Sequence, residues 1–181
     1  MMIAAPSNEV ELRNLMYTVS KGVEHPLAIR YPRGRGTNKN WQQDFEAVEL
    51  GKFQQLKGGN KIAVVSLGTL RKEVEIAFDL LNEENLKEIA HYDVRFVKPF
   101  QSEFFEMLFT QFSCIITLED GSIKGGFGED VSAFAQQKSF QGKVINLGIP
   151  DEFIEHGSPE ELYDWVGLSA AKIAKVIERN L

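Results

Sequence analysis

Two patterns alternate along the chain: short continuous apolar runs, and longer stretches whose apolar residues recur every three or four positions. Ile62-Ala-Val-Val-Ser-Leu67 and Cys114-Ile-Ile-Thr-Leu118 are of the first kind, the pattern of strands buried on both faces of a parallel sheet. Asp93-Val-Arg-Phe-Val97, ended by Lys98-Pro99, and Lys143-Val-Ile-Asn-Leu147 predict two further strands. Helical spacing lies between them. Val74, Ala77, Phe78 and Leu81 share one face of a helix predicted over 71–82 with Thr69 as its N-cap. Further helices are predicted over 103–109, from Phe127 through Val131 and Phe134, after Ser158-Pro159-Glu160-Glu161, and over 169–180. The weak alternation of Gly51–Lys57 before Gly58-Gly59-Asn60 predicts a hairpin with the Ile62 strand. Ahead of this lies a strand-helix-strand opening: an extended start, a helix capped by Ser7 and running to Ser20, and Leu27–Tyr31 closing on Pro32. Strands and helices in this alternation predict an α/β fold with a mostly parallel sheet, helices on both faces and right-handed crossovers.

The length, 181 residues, allows one domain with a sizeable core or one domain plus a piece of another. A net charge of -6 argues against nucleic acid or an anionic membrane surface as partner. The single cysteine, Cys114, sits inside an apolar run, which excludes a disulfide framework and points to a reduced, cytoplasmic setting. Buried there, its thiol keeps its proton and makes a poor nucleophile. No apolar run approaches the ~20 residues of a membrane span, and the first residues lack a signal-peptide core.

Few residues offer chemistry. Gly125-Gly126 falls between an apolar strand and a helical pattern, so it marks a helix N-terminus whose free N–H groups could receive an anion or simply allow close packing. It lacks phosphate-loop spacing, and no Lys-Ser or Lys-Thr pair follows it. Arg33-Gly-Arg-Gly-Thr-Asn-Lys-Asn40 is a basic, glycine-rich island in an acidic chain, which suits either a linker or an anion-binding loop. Arg30, Arg33 and Arg35 concentrate guanidinium groups matched to phosphate. Glu119 and Asp120 lie at the carboxyl end of a predicted strand, where α/β folds bind ligands, though a capping role fits them equally. His25, His91 and His156 are scattered near predicted turns or strand ends and have no metal-ligand spacing. There is no Gly-x-Ser-x-Gly elbow and no Gly-Asp-Gly with a downstream Asn to hold metal and diphosphate.

Several segments carry a resemblance. Ile3-Ala-Ala-Pro, Glu11-Leu-Arg-Asn-Leu-Met-Tyr17, Ala28-Ile-Arg-Tyr-Pro-Arg-Gly34, Gly68-Thr-Leu, Val94-Arg-Phe-Val-Lys-Pro99, Leu118-Glu-Asp-Gly, Gly125-Gly-Phe-Gly128 and Asn146-Leu-Gly-Ile-Pro-Asp151 resemble, in order, the C-terminal part of the 1-deoxy-D-xylulose-5-phosphate synthases. The resemblance implies a three-layer α/β/α transketolase C-terminal-like domain over 50–181, a linker over 37–49, and the end of a pyrimidine-binding domain over 1–36. It implies an enzyme that condenses pyruvate with glyceraldehyde 3-phosphate, losing carbon dioxide, as a cytoplasmic homodimer using thiamine diphosphate and Mg2+. The family's product feeds isoprenoid, thiamine and pyridoxal synthesis. The family's catalytic, cofactor and metal residues all lie upstream of the segment matched, so none is carried over and the chain alone is expected to be inactive. One position does carry over: the second arginine of Arg-Tyr-Pro-Arg-Gly, a contact to the aldehyde's phosphate, matches Arg33. Arg30 matches the first, without a ligand role, and Arg35 stands where many members have Asn. The rival expectation is a stand-alone binding or docking module that uses the Gly125-Gly126 helix end or the loop before it.

Overall fold

The computed structural model describes residues 1–34, 36 and 42–181. Its elements are β1 (Met2–Ala4), α1 (Glu9–Ser20), β2 (Leu27–Ile29), β3 (Gln54–Lys57), β4 (Ile62–Leu67), α2 (Leu70–Asp79) and α3 (Glu83–Lys87). There follow β5 (Ile89–Asp93), β6 (Phe96–Lys98), α4 (Ser102–Gln111), β7 (Cys114–Ser122), α5 (Phe127–Gln137), β8 (Lys143–Ile149), α6 (Pro159–Val166) and α7 (Ala170–Glu178).

A five-stranded sheet in the order β3-β5-β4-β7-β8 forms the body, with β5, β4, β7 and β8 parallel and β3 antiparallel at one edge. Every residue of β4 is buried because both faces of the sheet are covered. Ile62 and Val64 point to one face, where they join Leu70, Val74, Ile173 and Ile177 of α2 and α7. Ala63, Val65 and Leu67 point to the other, against Phe104, Phe105, Leu108 and Val131 of α4 and α5. Each fully buried aliphatic or aromatic side chain contributes about 1.5–3 kcal/mol, so these two clusters hold the three layers together.

The second sheet, β2-β1-β6, pairs β1 with β2 in parallel and with β6 antiparallel. Its own small core is Ala4, Leu15 and Phe96. Residues 42–50 lie along α1: the Glu46 N–H donates to Asn14 Oδ1 at 3.2 Å, the Val48 N–H to Thr18 Oγ1 at 2.8 Å, and Phe45 stacks on Tyr17. Residues 35 and 37–40 of the basic island, and residue 41 after it, lie outside the described residues.

Four expectations need correction. The strand expected over 93–97 is two strands, with the chain leaving β5 at Asp93 and entering β6 at Phe96 in the other sheet. The hairpin does not form, because β3 pairs with β5 and not with β4. Gly58-Gly59 serves a close crossing instead: a Cβ on Gly59 would lie 2.2 Å from the Ile89 carbonyl carbon. Asn8, not Ser7, caps α1, accepting from the Glu11 N–H at 3.0 Å. Thr69 stands before α2 with helical dihedrals and makes no capping bond. By contrast Ser158 and Glu161 form the full capping box that opens α6, with Pro159 in its first turn.

Candidate functional site

Three chain ends converge at the carboxyl edge of the central strands, the place where open α/β sheets bind ligands. β4 ends in Leu67 and turns through Gly68, whose φ of 69° suits a residue without Cβ. β7 brings Glu119 and Asp120, and the chain leaving β2 brings Arg30, Tyr31 and Pro32. With Ala5, Pro6 and Thr69, these residues other than Glu119 line a cavity of about 70 Å³.

The cavity's polar groups are fixed by one another. The Arg30 backbone N–H donates to Ala4 O at 2.8 Å, and its guanidinium donates to the Asp120 carbonyl, tying the two sheets together at this edge. Tyr163 of α6 donates to Asp120 Oδ2 at 3.2 Å. Burial pushes the Tyr163 phenol up to about 12, with the Asp120 carboxylate adding to the rise, so it remains a donor at neutral pH. Neither tyrosine nor threonine chemistry was legible in this role, since Tyr163 reads only as one residue of an amphipathic helix.

The arginines differ. Arg30 is committed to the protein, whereas Arg33, three residues on, is exposed and makes no hydrogen bond or ion pair among the described residues. Arg35 lies outside them.

The Gly125-Gly126 helix end is already filled, which favours the close-packing alternative over an external anion. Glu119 Oε2 accepts from the Phe127 N–H at 3.0 Å and Oε1 from the Gly128 N–H at 2.8 Å, so the chain's own carboxylate occupies the positive end of α5. A Cβ on Gly126 would lie 2.1 Å from Ser122 O and 2.6 Å from Glu119 Oε1, so the glycine keeps that space open. Burial pushes the Glu119 carboxyl up, the two backbone donors and Arg30 pull it back, and Asp130 adds a smaller rise.

The other candidates stay apart. His91 is not at a turn but inside β5, buried, with Nε2 2.9 Å from Ser66 Oγ. Burial, helped by Arg71, holds its ring down to about 3, so it is neutral. His25 and His156 are exposed and lie in loops. Burial pushes the Cys114 thiol up, leaving it unreactive. Among the described residues no three His, Cys, Asp or Glu side chains converge to hold a metal. Among the described residues no helix is long and apolar enough to cross a membrane.

Comparison with known proteins places this arrangement. Residues 51–173 match the family model for the transketolase C-terminal domain. The chain is 42% identical over 180 residues to the 1-deoxy-D-xylulose-5-phosphate synthase of Parabacteroides distasonis, covering 99% of this chain and 28% of that protein. It is 43% identical over 185 residues to that of Cytophaga hutchinsonii, covering 100% and 28%, and 37% identical over 177 residues to that of Chlorobaculum tepidum, covering 97% and 28%. It thus spans just over a quarter of the length of these relatives. Among solved structures, a split gene transketolase described as an inactive beta4 tetramer superposes with a TM-score of 0.79 at 21% identity, over 100% of this chain and 57% of that one. The parallel sheet with helices on both faces is thus the transketolase-type α/β fold, and the chain belongs to the transketolase C-terminal domain family.

Proposed function

We propose that this chain is the C-terminal part of a 1-deoxy-D-xylulose-5-phosphate synthase, with residues 1–36 closing the pyrimidine-binding domain, 37–49 linking, and 50–181 forming the C-terminal domain. The complete enzyme condenses pyruvate with glyceraldehyde 3-phosphate, losing carbon dioxide, as a cytoplasmic homodimer. Its thiamine diphosphate and Mg2+, which supply the carbanion chemistry when bound, are held by residues outside this chain. The chain contributes scaffold and one substrate contact, and is inactive alone. Full-chain identity of about 40% to synthases of several organisms supports this reading.

The observation that carries the substrate contact is the contrast between two arginines on one strand end. Arg30 is spent on the Asp120 carbonyl, while Arg33 presents an exposed guanidinium with no protein partner among the described residues. A guanidinium fork meets phosphate with two charge-assisted hydrogen bonds, so Arg33 is the group suited to the aldehyde's phosphate. The filled end of α5 removes the support for a stand-alone anion-binding module.

The experiment compares kcat/KM for glyceraldehyde 3-phosphate and for unphosphorylated glyceraldehyde in the enzyme carrying this chain, wild type and Arg33→Ala. The variant should lose roughly 10- to 100-fold with the phosphorylated aldehyde, the range for a hydrogen bond to a charged group, and little with glyceraldehyde. Lysine should restore only part of the loss. Equal losses with both aldehydes would refute the phosphate contact.

A further inference from the structure

A second cluster of charges, unused by the phosphate reading and independent of it, lies where the two sheets meet. The chain leaves β5 at Asp93, turns through Val94 and Arg95, and enters β6. Arg95 holds a φ of 61°, unusual for a residue with a side chain, and its backbone N–H, carbonyl and guanidinium are all engaged. Its carbonyl accepts from the Ala5 N–H at 2.8 Å, just beyond β1. Its guanidinium donates to Glu11 Oε1 of α1 and to Gln54 Oε1 of β3, both at 2.8 Å. The other Glu11 oxygen accepts from the Ser7 N–H at 3.1 Å and the Ser7 hydroxyl at 2.9 Å. This clasp attaches the β1–α1 unit to the five-stranded sheet.

Asp93 lies beneath the clasp and is wholly buried. Its Oδ1 accepts from the Arg95 N–H at 3.1 Å, but its Oδ2 has no hydrogen-bond partner among the described residues. The nearest cation to Oδ2 is Arg71 Nη1 of α2 at 3.7 Å, and Arg71 already pairs with Glu75 at 2.8 Å. The groups facing Asp93 are therefore Glu11 and Ser7 from the first unit, Arg71 with Glu75 from α2, Arg95 from the turn, and His91 two residues back on the same side of β5. A buried carboxylate with one oxygen unsatisfied is costly when ionised.

We infer that Asp93 is a titratable latch between the two sheets. Protonated, it leaves the Arg95 guanidinium to Glu11, and the β1–α1 unit is held firmly. Ionised, it competes with Glu11 for Arg95 and with Glu75 for Arg71, and the clasp loosens.

Burial pushes the Asp93 carboxyl up to about 7, the Glu11 carboxylate adds to the rise, and Arg71 and Arg95 oppose it. A carboxyl raised in the folded protein favours folding fully below its unfolded value near ~4. That contribution is lost as pH rises toward about 7. His91, held down to about 3, acts with the opposite sign, its contribution being lost as pH falls below ~6.5. Comparison of wild type with Asp93→Asn, which leaves His91 in place, isolates Asp93.

The test is amide hydrogen exchange of this chain between about pH 5.5 and 8, corrected for intrinsic rates, with the β4 residue Val64 as internal reference. Protection of the Ala5 and Ser7 amides should fall about tenfold across that range in wild type and stay level in Asp93→Asn. Equal responses in the two proteins, or no response in wild type, would overturn the inference. Should the variant not fold, carboxyl carbon NMR of wild-type Asp93 decides: a midpoint near 7 supports the latch, and one below ~5 overturns it.

Discussion

Removing the Glu119 carboxylate tests how α5 is anchored to the sheet. The side chain is 6% exposed and accepts from two backbone donors, Phe127 N–H at 3.0 Å and Gly128 N–H at 2.8 Å. A hydrogen bond to a charged group contributes about 1.5–3 kcal/mol, and an orphaned buried donor costs about 1–3 kcal/mol. The two bonds share one carboxylate and do not add fully, and burial itself disfavours the charge, so Glu119→Ala should destabilise by about 3–4 kcal/mol. Glu119→Gln keeps one acceptor oxygen but sets its NH2 against the second donor, and should cost about half as much. Urea denaturation followed by circular dichroism measures both. With a slope of about 2 kcal/mol/M, the alanine midpoint should fall by about 1.5–2 M with the slope unchanged. A fall under ~0.5 M would show that water replaces the carboxylate at little cost, and the account of this helix end would be wrong.

Tyr163→Phe removes the hydroxyl that fixes Asp120 at the cavity edge, and should lower stability by about 1–2 kcal/mol in the same assay. In alkaline absorbance titration one tyrosine should ionise at about 12, and that step should vanish in the variant. Because this phenol is raised in the folded state, its contribution is present below ~10 and lost as pH climbs through the folded value.

The fold was legible wherever burial is visible in the side chains themselves. β4 and the start of β7 are apolar runs, interrupted only by Ser66 and Thr117, because two layers of helices cover them. β5 was not legible: Ile89-Ala-His-Tyr-Asp93 mixes polar and apolar residues, yet all five are buried. His91 finds Ser66, and Asp93 finds the Arg95 N–H, partners no local pattern announces. The hairpin failed for a related reason. Gly58-Gly59-Asn60 does turn the chain, but strand pairing is decided at a distance, and β5 takes the place expected for β4.

The site was half legible. A helix start at Gly125-Gly126 follows from sequence, whereas its occupant, Glu119, is fixed by how β7 meets α5. Arg30 and Arg33 look equivalent as phosphate ligands in composition. Only the contact of Arg30 with the Asp120 carbonyl distinguishes the arginine that holds the fold from the one left facing outward.

The central claim, that this chain supplies scaffold and a phosphate contact while the cofactor cradle lies outside it, is tested most directly by calorimetric titration with thiamine diphosphate and Mg2+. The titration is run on this chain alone and on the enzyme that carries it. The account predicts binding to the enzyme and no measurable binding to the chain alone, where no set of ligands converges among the described residues. Micromolar binding of thiamine diphosphate to the isolated chain would contradict it.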